Sequence, residues 1–196
     1  MLIYLHGFNS SPQSHKAQVL GRYLAERGLG GCYACPALPH QPEQALAMIE
    51  AELARTPRRP VTLVGYSLGG FYATWFAEKH CLRAVLINPA VHPHRDLRVF
   101  LGAQENLHSG EQYELTETHL VQWAQLFLPV ITPARYLLLA ETGDEVLDYR
   151  EAVAKYAGAM QVVVQGGDHT LQSFPRHIPL ILEFAGLTRD APAQSA

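Results

Sequence analysis

Residues 60–70 constrain the fold most tightly. An apolar run, Val61 to Val64, leads straight into Gly65-Tyr66-Ser67-Leu68-Gly69, and Phe71 to Lys79 reads as a helix immediately afterwards. A strand, a sharp turn and a helix are the context in which a Gly-x-Ser-x-Gly serine becomes a nucleophile. The turn forces Ser67 to project its hydroxyl above a sheet edge. The chain passes so close to itself there that side chains at positions 65 and 69 would collide, so both are glycine. The helix beyond aims backbone N–H groups and the positive end of its dipole at the serine.

The rest of the chain supplies a sheet for that turn. Continuous apolar runs, read as buried strands, cover Met1–Leu5, Cys32–Leu38, Val61–Gly65, Leu82–Asn88, Arg135–Ala140 and Gln161–Gln165. Helical spacing marks Gln13–Arg27, Pro42–Arg55, Asp148–Tyr156 and Ser173–Phe184 between and after them. Such alternation predicts an α/β fold: a mostly parallel sheet of about six strands with helices on both faces. Residues 1–187 are expected to form one domain, and 188–196, polar and Pro-containing, a frayed tail.

More than forty residues, His92 to Pro133, interrupt this rhythm between the fourth and fifth strands. A plain connection is much shorter. Leu120, Trp123 and Phe127 form an apolar stripe on a helix in this segment. The stripe either packs on the core, the favoured reading, or belongs to a lid that shapes a substrate pocket.

A serine hydroxyl needs a base, and the base needs an orienting acid. In a parallel sheet both are expected on loops at the carboxyl ends of later strands. Past the fifth strand, Asp144 stands on a loop behind a Gly; Asp148, a candidate helix cap, and Glu141, at the strand end, are the alternatives. Past the last strand comes Gly166-Gly167-Asp168-His169. His169 is the only one of ten histidines placed just beyond that strand. Asp168 reads as a loop-shaping residue. The backbone N–H of Leu68 is one expected oxyanion donor and that of Phe8, on the loop after the first strand, the other. His6 on that loop is expected to pin it by hydrogen bonds.

Net charge is −3 without a long basic run, so no nucleic-acid partner is expected. No apolar stretch reaches the length of a membrane span. Met1 leads directly into strand-like Leu2 to Leu5 with no basic n-region or cleavage site, so no signal peptide is expected and a cytoplasmic address follows by default. Cys32 and Cys35 form a lone C-x-x-C within an expected strand, on opposite faces, a poor metal or redox site. Cys81 is expected to be a small buried apolar residue. His92, His94 and Asp96 match part of a metal-hydrolase pattern, but Leu97 stands where its last His belongs.

The segments YLHGFNSSP (4–12), GYSLGG (65–70), NPAV (88–91), TGDEVLDY (142–149) and GGDHTL (166–171) together resemble the α/β-hydrolase superfamily, and within it the small bacterial YqiA-type esterases. The resemblance spans nearly the whole chain apart from the tail. It implies an α/β-hydrolase fold and a serine esterase carried by Ser67, Asp144 and His169, with no metal or organic cofactor. Larger members have two further strands before the His-Gly loop; this chain starts at that strand, hence about six. The implied substrate is a small acyl ester or thioester, such as an acyl-CoA. An acyltransferase with the same triad, or a non-catalytic binding protein of this fold, are the alternatives.

Overall fold

The computed structural model describes residues 1–56, 60–106 and 108–187; the expected frayed tail, 188–196, lies outside them. Six strands form one sheet: β1 (Leu2–Leu5), β2 (Tyr33–Ala34), β3 (Thr62–Tyr66), β4 (Arg83–Ile87), and two more, Tyr136–Glu141 and Met160–Val164. Numbered in chain order these last are β7 and β8, because a hairpin of β5 (Gly102–Glu105) and β6 (Gln112–Leu115) intervenes. The sheet order is β2-β1-β3-β4-β7-β8, and every pair in it is parallel.

Period-two alternation divides the core between two faces. Leu2, Tyr4, Val64, Val85, Leu137 and Leu139 point to one side, where α1 (His15–Ala25) and the C-terminal helix α7 (Phe174–Phe184) cover them. Ile3, Leu5, Leu63, Leu86 and Leu138 point to the other. There they meet α2 (Pro42–Ala54), α3 (Leu68–His80), α5 (Glu117–Gln125) and α6 (Tyr149–Lys155). Burial on both faces explains why the central strands read as unbroken apolar runs. Helix α3 lies deepest, with nine buried residues from Leu68 to Ala77. Among the described residues no helix is long and apolar enough to cross a membrane.

Three local expectations need correction. The second strand is only Tyr33–Ala34; Gly30–Cys32 is a 3₁₀ turn, and residues beyond Ala34 leave the ladder because β1 pairs through Leu2 and Ile3 alone. Cys32 is therefore off the strand. Cys81 is exposed, not buried. It adopts a left-handed conformation (φ 55°) that ends α3, while Leu82 N–H turns back to the Ala77 carbonyl at 3.0 Å. That turn points the thiol outward.

The inserted segment contains a short helix α4 (Pro93–Asp96), a 3₁₀ turn over Leu97–Phe100, the hairpin and α5. Leu120 and Trp123 of the expected stripe are core residues. Trp123 is fully buried and its indole donates to the Tyr72 hydroxyl at 2.7 Å. Phe127 lies beyond the helix end, half-buried against His92.

Candidate active site

Ser67 occupies the turn between β3 and α3 with φ 51° and ψ −119°. A non-glycine residue holds that conformation only where its surroundings over-determine it. Here Ser67 N–H donates to the Ile87 carbonyl (3.0 Å), and its own carbonyl accepts from Gly70 (2.9 Å) and Ala90 (3.1 Å). The flanking glycines are sterically required. A Cβ on Gly65 would lie 2.4 Å from the Gly69 carbonyl oxygen, and one on Gly69 would lie 2.0 Å from that of Leu5.

The structure brings Ser67, Asp144 and His169 together. His169 Nε2 is 3.1 Å from Ser67 Oγ. Its Nδ1 is 3.0 and 2.9 Å from the two Asp144 carboxylate oxygens. The carboxylate can only accept, so Nδ1 carries the proton and Nε2 is left to accept from the serine hydroxyl. Asp144 is held by its own loop as well as by the imidazole, because Oδ1 also accepts the N–H groups of Val146 (2.9 Å) and Leu147 (2.8 Å). The Asp144 and His169 side chains are 1% and 13% exposed, so the pair sits largely out of water.

The other acids lie elsewhere. Asp148 caps α6, accepting Arg150 N–H at 3.0 Å. Asp168 is half-buried and folds its own loop, accepting from Thr170 and Gln172. Glu141 is buried beneath that loop and reaches neither His169 Nδ1 nor Ser67 through a hydrogen bond.

Leu68 is the first residue of α3, so its N–H has no acceptor within the helix. Phe8, on the loop after β1, lines the same cleft as Ser67 and Leu68. His6 holds the base of this loop: its Nε2 accepts Leu38 N–H at 2.9 Å and Nδ1 lies 3.1 Å from the Gly7 carbonyl. Burial lowers its pKa and favours the neutral ring that this bonding needs. The β5–β6 hairpin, which the sequence reading passed over, buttresses the loop. Tyr113 donates to Asn9 Oδ1 (2.6 Å) and Asn106 donates to the Ser10 carbonyl (2.9 Å).

An apolar cleft of about 280 Å³ opens at Ser67, walled by Leu97, Val99, Phe100, Val146 and Leu147. The inserted segment thus reaches the site through its 3₁₀ turn, whereas Leu120 and Trp123 do not line the cleft. Across Tyr66 runs a larger groove of mixed character, about 650 Å³, in which Asn9, His15, Lys16 and Gln172 alternate with Phe8 and Phe174. Lys16 went unnoticed in the sequence. Burial lowers its pKa to about 8, and its ammonium lies 3.7 Å from the centre of the Tyr66 ring.

The His92 and His94 rings meet edge to face, centroids 5.8 Å apart, but Asp96 is drawn off to Arg95. His92 also packs on Phe127. No cluster of three or more His, Cys, Asp or Glu side chains suited to a metal occurs among the described residues. Cys32 and Cys35 are unpaired thiols, and burial pushes that of Cys35 up to about 12, against a reactive thiolate.

This architecture recurs in known structures. A candidate hydrolase from Agrobacterium vitis S4 superposes with a TM-score of 0.77 at 20% identity, over 94% of this chain and 87% of that one. One of the metagenome-derived lipolytic enzymes LipS and LipT gives 0.72 at 18%, over 95% and 93%. The mouse alpha/beta hydrolase domain-containing protein 10 gives 0.68 at 16%, over 94% and 89%. At such identities the likeness speaks for the fold, which is that of the α/β hydrolases. Along the sequence itself, residues 1–186 match the uncharacterised protein family UPF0227, and the chain belongs to that family.

Proposed function

We propose that the chain is a serine hydrolase that cleaves carboxylic esters, and acyl thioesters such as acyl-CoA, through an acyl-enzyme on Ser67. One observation carries the reading: an unbroken hydrogen-bonded path from Asp144 through His169 to Ser67, ending at the mouth of an apolar cleft. His169 Nε2 takes the Ser67 proton as Oγ attacks the acyl carbonyl. Asp144 keeps the ring in its working tautomer and stabilises the imidazolium. The N–H groups of Phe8 and Leu68 receive the oxyanion, each worth about 3 kcal/mol in the transition state. His169 then hands the proton to the departing alcohol or thiol. A water molecule, deprotonated by the same ring, attacks the acyl-enzyme and releases the acid. Asp144 never leaves its two backbone donors, so no step requires the acid to move.

The acyl chain lies against Leu97, Phe100 and Leu147, and the leaving group extends toward the larger groove beside Tyr66. Lipolytic activity in a neighbour of the same fold supports the reading. Purified protein assayed on p-nitrophenyl esters and acyl-CoA thioesters of graded length tests it. The expected result is turnover that a fluorophosphonate abolishes by labelling Ser67 and that Ser67→Ala removes; wild-type turnover by Ser67→Ala overturns it. Product analysis with added alcohols or thiols separates hydrolysis from acyl transfer, and an unlabelled Ser67 would mark a non-catalytic protein.

A further inference from the structure

His169 rides on a loop that is held from below by side chains with no hydrogen bond to the Ser67 hydroxyl. Glu141, the last residue of β7, is 1% exposed. One of its carboxylate oxygens accepts the N–H groups of Asp168 (2.9 Å) and Gln172 (3.1 Å), and the other accepts that of Ser173 (2.9 Å). Asn88, just past β4, donates its side-chain amide to the carbonyls of Asp168 (3.0 Å) and His169 (2.9 Å). Its amide oxygen accepts the backbone N–H of Glu141 at 3.0 Å, which ties the Asn88 side chain to the end of β7. Lys16 closes the outer side, donating to the Thr170 carbonyl at 2.6 Å.

The partners bracket the imidazole: one N–H donor precedes His169 and two follow it. The loop is moulded to the carboxylate. Gly167 has φ +73°, and a Cβ there would lie 1.9 Å from Glu141 Oε2. Asn88 itself sits at φ 38°, a conformation maintained only under constraint. Although burial opposes its ionisation, the hydrogen bonds from Ser173, Asp168 and Gln172 hold the Glu141 carboxyl below its usual range. At neutral pH it is an anion that only accepts.

We propose that Glu141 is a positioning residue for His169: its carboxylate, acting on the same loop as the Asn88 side chain, fixes the path of residues 166–173 that carries Nε2 to Ser67. The inference rests on the hydrolase reading above. An amide cannot replace this carboxylate. Glutamine would turn an NH₂ group toward a backbone N–H, donor against donor, and release one side of the loop. A displacement of about 1 Å at the imidazole costs about 10²-fold in rate.

The test compares Glu141→Gln and Asn88→Gly with wild type and Ser67→Ala on one p-nitrophenyl ester. Glycine at 88 removes the side chain and accepts the positive φ without strain. In Glu141→Gln, kcat is expected to fall about 10²-fold with KM within twofold. Labelling of Ser67 by a fluorophosphonate should slow in proportion. Asn88→Gly should show the same pattern, with at least a tenfold fall, and it decides the matter where Glu141→Gln does not fold. A folded variant with wild-type kcat overturns the proposal. So does one that melts earlier while its kcat and its rate of fluorophosphonate labelling stay at wild type. If Ser67→Ala is inactive while both variants match wild type, only this proposal falls; if Ser67→Ala keeps wild-type turnover, the hydrolase reading falls with it.

Discussion

Asp144 offers both carboxylate oxygens to a single nitrogen of His169, at 3.0 and 2.9 Å, while one of those oxygens also receives the N–H groups of Val146 and Leu147. The carboxylate is thus held by its own loop as well as by the imidazole. Orientation of that kind costs nothing at the moment of reaction, which is where preorganised groups act.

Asp144→Asn should be far more damaging than its size suggests. The asparagine oxygen would keep the two backbone donors and turn the NH₂ toward His169 Nδ1. Nδ1 must then accept, the proton moves to Nε2, and the ring can no longer accept from Ser67. The expected fall in kcat is about 10³- to 10⁴-fold, with the melting temperature near wild type. Steady-state kinetics beside a thermal melt reads both.

Leu97→Trp should change which acyl chains are accepted. Leu97 walls the cleft at Ser67, and an indole there fills part of about 280 Å³. The ratio of kcat/KM for an octanoyl over an acetyl p-nitrophenyl ester should drop at least tenfold, about 1.4 kcal/mol of discrimination. An unaltered ratio would mean that the chain lies elsewhere.

Trp123→Ala separates core from pocket wall. Trp123 is fully buried, shares the core with Leu120 and Tyr156, and donates to Tyr72. Its truncation should destabilise the fold by about 3–5 kcal/mol in urea unfolding. KM for every ester should stay near wild type, whereas a residue touching substrate would shift it.

Lys16 predicts an alkaline effect on stability. Its pKa is lowered from 10.5 to about 8 by burial, despite the attraction of Asp168 and Glu141. Between those values the unfolded chain holds the proton and the folded one has released it, so this group makes stability rise with pH. Below pH 8 the cost of the buried charge is fully present; above 10.5 it is gone. The difference amounts to up to about 3 kcal/mol. Lys16→Met removes this slope, so unfolding free energies of the two proteins should converge or cross between pH 8 and 10. Parallel curves would refute the prediction.

The strands β1, β3, β4 and β7 were legible because burial on both faces leaves an unbroken apolar signature. β2 was overextended: Cys32 to Leu38 has strand composition, but composition carries no information on how many residues find a neighbour. The β5–β6 hairpin is too short to read: Gln112-Tyr113-Glu114-Leu115 alternates over only four residues, and Gly102-Ala103-Gln104-Glu105 opposite it has no large apolar side chain. Cys81 looked like core by residue type, yet the end of α3 needed a left-handed residue there and turned it out. Trp123 could be recognised as apolar, but only its neighbours show that it belongs with Tyr72 rather than with Ser67.

By itself the sequence determined the order of the six strands of the main sheet, the glycine-flanked turn at Ser67, and the two strand-end loops that hold Asp144 and His169, because those features are encoded in local spacing and in what a backbone without Cβ permits. The tertiary structure decided which carboxylate meets which imidazole. Asp144, Asp148, Glu141 and Asp168 are the same chemistry within one stretch or beside one histidine, and only the folded chain distinguishes an acid at Nδ1, a helix cap, a buried anchor and a surface brace. Hydrogen-bond geometry depends on distances between segments far apart in the chain, and no local pattern of residues specifies those distances.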